Sequence, residues 1–81
     1  MDIERLIVMT NDIAAFFRGA ADQDQAAENV AAHLGLYWHP SMRAQIIAHR
    51  GTGGTGLSAL AARAVHLLER KELNVADDVA R

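Results

Sequence analysis

Reactive side chains are scarce in this 81-residue chain, and those present are poorly spaced for chemistry. The histidines are His33, His39, His49 and His66, and no two stand at the i, i+4 separation that puts two imidazoles on one helix face. No cysteine is available to complete a metal set, to attack a substrate or to hold an iron–sulfur cluster. Ser41 and Ser58 both stand where a helix is expected to start, a position that capping explains, and neither sits in a G-x-S-x-G elbow. Asp77 and Asp78 lie in an expected tail, without walls to enclose a general acid. Gly51-Thr52-Gly53-Gly54-Thr55-Gly56 matches G-x-G-x-x-G letter for letter. A dinucleotide fingerprint, however, follows a strand inside a βαβ unit, and here a helical pattern precedes it. Leu57 occupies the place where a P-loop carries lysine. The expectation is a chain with no catalytic, cofactor-binding or metal-binding residue, and no enzyme on its own.

Side chains suited to gripping another protein are easier to find. Tyr37-Trp38-His39-Pro40 is the densest aromatic spot and holds the only tryptophan. Trp38 either anchors a corner between two helices or inserts into a partner as a hot spot. Arg43 and Arg50 are one heptad apart with Ile46 and Ile47 between them. They form either a solvated basic edge or an arginine–aliphatic contact surface. Met9 and Phe16, also seven apart, widen an apolar stripe to about half a helix circumference, so they pack inside or form a ridge for a partner. His33 falls at the margin of its stripe, as a half-buried hydrogen-bonding residue would.

Four helices are expected to carry these residues. The first runs from about Asp2 to Phe17, capped by Asp2, with Ile3, Leu6, Ile7, Ile13, Ala14 and Phe17 on one face. Asp22 and Gln25 suggest a capping box opening the second. Its stripe of Ala27, Val30, Ala31, Leu34 and Trp38 favours close approach to the first helix in an antiparallel hairpin. His39 as cap and Pro40 at the first position start the third, which Gly51 is placed to end in a left-handed conformation. Ser58 caps the fourth, where Leu57, Leu60, Ala61, Ala64, Leu67 and Leu68 share a face and Asn74 is the expected stop. The fold class is therefore all-α: a single domain over residues 1–74, a small bundle of about four short helices with a glycine-rich loop before the last, then a frayed tail over 75–81.

Composition narrows the function classes further. Hydrophobic residues make up 51% of the chain, too many for disorder, and much of that is alanine. A net charge of −2 gives no overall attraction to nucleic acid or anionic lipid. No run of eighteen apolar residues and no basic leader region occurs, so neither a membrane span nor a signal peptide is expected. The lack of cysteine in so small a domain fits a reducing cytoplasm.

The order of these residues resembles the delta subunit of NAD-dependent, molybdenum-containing formate dehydrogenase. The likeness rests on Asn11-x-Ile13-x-x-Phe16-Phe17, Val30-x-x-His33-Leu34, Tyr37-Trp38-x-Pro40-x-Met42-Arg43 and Gly53-Gly54-x-Gly56-Leu57-x-x-Leu60. His39 departs from an expected acidic residue, Ala44 from a common basic one, and Tyr37 from the usual phenylalanine. The resemblance implies an accessory subunit of a cytoplasmic complex that oxidises formate and reduces NAD. It also implies that molybdopterin, iron–sulfur clusters and FMN reside in the larger subunits, with the molybdopterin-binding catalytic subunit as the expected partner. Candidate contact residues are Phe16, Trp38, Pro40, Met42, Arg43, Gly53, Gly54 and Gly56. Two other readings of the residues stay open: a free-standing all-α adaptor or homodimer, and a small nucleic-acid-binding regulator using Arg43 and Arg50.

Overall fold

The computed structural model describes residues 2–79, with side chains placed for residues 2–73. Four α-helices and no strand make up the described residues: α1 Ile3–Phe17, α2 Gln23–Tyr37, α3 Pro40–Gly51 and α4 Ala59–Val79. Each start follows from a local donor–acceptor match. The Asp2 carboxylate accepts from the Glu4 amide, and Asp22 accepts from the amides of Asp24 and Gln25. His39 Nδ1 accepts from the Ser41 amide at 3.3 Å, and Ser58 Oγ from the Ala61 amide at 3.2 Å. All four satisfy N–H groups that a helix leaves orphaned at its first turn. The capping box is only half formed, because the Gln25 side chain donates forward to Asn29 and not back to Asp22.

The buried set is small-sided: Leu6, Ala14, Ala26, Ala27, Val30, Ala31, Leu34, Trp38, Ile46, Ala61, Ala64, Val65 and Leu68. Thr10 joins it at 0% exposure, its hydroxyl donating to the Leu6 carbonyl at 2.7 Å, so a polar side chain sits in the core without an unmet bond. The expected pair of α1 and α2 packs together, and among helix pairs α2 and α4 make the most extensive contact. Alanine faces permit that approach, and two ion pairs rim it: Asp24 with Arg63, and Glu28 with Lys71 at 2.8 Å. The early turns of both helices meet at Asp24 and Arg63, while further along Leu68 faces Gly35, so α2 and α4 advance in the same direction.

Two expected helix ends move. Gly51 is the last residue of α3 itself, and the left-handed residues are Gly53, Gly54 and Gly56. The chain turns through Thr52, whose amide reaches back to the Ala48 and His49 carbonyls. Asn74 does not stop α4, which continues to Val79. Of the tail expected over 75–81, residues 75–79 therefore carry helical backbone, and 80–81 lie outside the described residues.

Candidate protein-docking face

Most of the motif residues build the fold. Trp38 closes α2: its amide donates to the Leu34 carbonyl, and its side chain is only 6% exposed within the core. The ring thus sits in the core at the corner between α2 and α3. Arg43 secures the same corner from α3. Its Nε donates to Glu72 at 2.6 Å and its Nη1 to the Trp38 carbonyl at 2.7 Å, with a longer bond to the Gly35 carbonyl. Pro40 is exposed at the first position of α3, and Met42 packs half-buried against the core.

The glycine loop is likewise tied into its own chain. His49 Nε2 donates to the Thr55 carbonyl at 2.7 Å. From α1, the Asn11 amide donates to the Gly56 carbonyl at 2.8 Å and accepts from the Ser58 amide at 2.9 Å. Gly56 has φ +89°, and a Cβ there would lie 3.3 Å from Ile7 Cγ2, so loop and helix meet at backbone range. Gly54, φ +66°, lies against Arg50 and Leu57, whereas a Cβ on Gly53 would meet nothing within 4 Å. The loop follows one helix and opens another, without the preceding strand that a nucleotide cradle needs.

What stays outside is an apolar face shared by α1 and α2. Phe16 is 82% exposed, touching Phe17 edge-on at 5.1 Å between ring centres. Met9, seven residues earlier, packs against the core, so the two members of that ridge separate. Across from Phe16, half-buried His33 makes a ring contact with Tyr37 at 4.8 Å, and its ring has no hydrogen bond among the described residues. Between them lies a cleft of about 320 Å³ lined by Asp12, Ile13, Phe16, Phe17 and His33. Leu36 and Tyr37, also large and exposed, share the His33 side of α2 at i+3 and i+4. Leu36 was missed in the sequence, although an isolated leucine off the stripe of its helix was the available signal. Asp12, at the edge of the cleft, has no ion-pair partner among the described residues.

No group of three or more histidine, aspartate or glutamate side chains is placed to hold a metal among the described residues. Among the same residues, no helix is long and apolar enough to cross a membrane. The model of one protein family, the NADH-dependent formate dehydrogenase delta subunit FdsD, matches residues 5–65. The chain belongs to that family. The matched span holds the Asn11 clamp, the Trp38–Arg43 segment, the glycine loop and both sides of the Phe16–His33 cleft, while the Asp2 cap and α4 beyond residue 65, with Glu72, lie outside it. Neither a curated protein nor a solved structure matches the chain.

Proposed function

We propose that this delta-subunit relative is a non-catalytic accessory subunit of a cytoplasmic NAD-dependent formate dehydrogenase. It docks onto the molybdopterin-binding catalytic subunit and stabilises it or assists its maturation. Family membership over residues 5–65 carries this reading. Three large apolar side chains, each more than 70% exposed, support it: Phe16 lines the cleft, Tyr37 touches His33 on its other side, and Leu36 stands next to Tyr37 on α2. Molybdopterin, iron–sulfur clusters and FMN belong, in this reading, to the larger subunits. This chain has no thiolate to hold a cluster, and its part is burial of apolar surface. A standard interface covers roughly 800 Å² per partner, about a sixth of the 5159 Å² surface of the chain, which one such face and its surroundings can supply.

Affinity-tagged chain should co-purify with the catalytic subunit and stay bound through moderate salt, because apolar contact is not screened. Replacing Phe16, Leu36 and Tyr37 together by serine should release it while leaving its helical circular dichroism intact. A tight symmetric dimer that ignores the dehydrogenase in sedimentation would refute the docking role and assign the apolar face to a second copy.

A further inference from the structure

Arg43 and Arg50 share one side of α3, yet they meet different ends. Arg43 is held by Glu72 and two carbonyls. The Arg50 guanidinium has no hydrogen bond or ion pair among the described residues. Its stem passes beside Gly54, where a Cβ would lie 3.7 Å from Arg50 Cγ. Arg50 then lines a cleft of about 250 Å³ together with Ala62, Arg63, His66 and Leu67 of α4. No carboxylate lines this cleft. Arg63 engages Asp24 through Nη2, which leaves other donors of its planar head unassigned. His66 Nδ1 is buried without a partner, the one such side-chain atom found among the described residues. Arg70, one heptad beyond Arg63, continues the basic side of α4.

We propose that the α3–α4 cleft is a carboxylate socket, receiving an aspartate or glutamate side chain of the formate dehydrogenase subunit onto which the chain docks. This inference rests on the docking role proposed above and adds a second, polar contact to it. Charge complementarity selects the occupant. In a chain of net charge −2, the Arg50 guanidinium, without an ion pair among the described residues, shares one concavity with Arg63, already paired to Asp24, and with the His66 imidazole. A guanidinium matches a carboxylate with two parallel N–H donors, and the flanking Ala62 and Leu67 lower the local dielectric, which strengthens the pair. Duplex nucleic acid fits less well, since its affinity comes from many cations spread along successive phosphates and not from one small socket.

The test titrates formate dehydrogenase, prepared without this chain, with wild type, Arg50→Gln, Arg50→Glu and the Phe16/Leu36/Tyr37 serine variant over a range of salt. Arg50→Gln should raise Kd about tenfold and Arg50→Glu further, with a shallower salt dependence in both. Arg50 has no hydrogen-bond or ion-pair partner among the described residues, so Arg50→Gln should stay close to the wild-type melting temperature, while Arg50→Glu, an acid in the last turn of α3, should lower it only slightly. Unchanged affinity for Arg50→Glu, alongside release of the serine variant, would overturn the socket and leave the docking role standing. Failure of the wild type to bind would remove both. Low-salt binding to duplex DNA that Arg50→Glu abolishes, with dehydrogenase binding unaltered, would assign the cleft to phosphate and overturn the carboxylate reading.

Discussion

Trp38 and Phe16 are both aromatic residues at the end of a helix, and the fold treats them in opposite ways. Trp38 is 6% exposed and Phe16 is 82% exposed. Beyond Trp38 the chain turns at Pro40 straight into α3, whose Arg43 returns to take the Trp38 carbonyl. Beyond Phe16 the chain leaves through Arg18–Asp22 into α2, whose His33 lines the cleft beside the ring and leaves it 82% exposed. An aromatic at a helix end is buried when the next element doubles back across it, and otherwise remains a surface for something else. The first position should therefore govern folding and the second association.

The sharpest break of that contrast is Trp38→Ala. Emptying so large a buried site costs about 3–5 kcal/mol. At roughly 0.05–0.15 kcal/mol per residue, that is a large part of what a domain this size possesses. Urea denaturation followed by circular dichroism should show the midpoint collapse, and a loss below about 1 kcal/mol would mean that the corner is not anchored by this ring. Next comes a pair of glycine substitutions with opposite signs. Gly56→Ala meets Ile7 at 3.3 Å in a left-handed conformation and should cost about 1–3 kcal/mol. Gly51→Ala lies in ordinary helix with open space around it and should stabilise by about 0.4–1 kcal/mol. Equal shifts in melting temperature for the two would contradict the geometry of the loop.

Arg43→Ala should cost about 1–2 kcal/mol through the hydrogen bonds lost at the Trp38 corner, whereas Arg50→Ala should fall within about 0.5 kcal/mol of wild type. Chemical denaturation of the two variants, run side by side, separates the arginine that holds the fold from the one that does not. Smallest of all, Phe16→Ser should leave the stability of the isolated chain within about 0.5 kcal/mol. The same variant should nonetheless weaken capture of the dehydrogenase. A clear loss of stability here would place Phe16 in the core and dissolve the contrast.

Helix existence and the starting caps were legible because each depends on neighbours in sequence: Asp2, Asp22, His39 with Pro40, and Ser58. What escaped depends on which element stands opposite. Periodicity gives the azimuth of Met9 and Phe16, which nearly coincide, but not that one faces the core and the other solvent. Alanine on α2 advertises close packing without saying against which helix, and α4, beside the expected α1, is the larger of its contacts. Gly51 looked like the helix terminator because it comes first. The left-handed turns fall at Gly53, Gly54 and Gly56, where Thr52 and His49 can tie the loop. Of the candidate contact residues, Phe16 was recognisable from its place on an over-wide stripe. Trp38 and Arg43 were recognisable as important, but their intramolecular partners, notably Glu72 far along the chain, were not.

The Asn11 side chain has a further consequence. Its oxygen and nitrogen meet an amide and a carbonyl two residues apart, on a segment more than forty positions away in the chain. One planar group thus measures the length of the connection between α3 and α4. An insertion or deletion anywhere from residue 52 to 55 would slide the backbone past that gauge and leave both of its bonds unmade. Lengthening this loop should therefore be resisted, even though most surface loops accept extra residues readily.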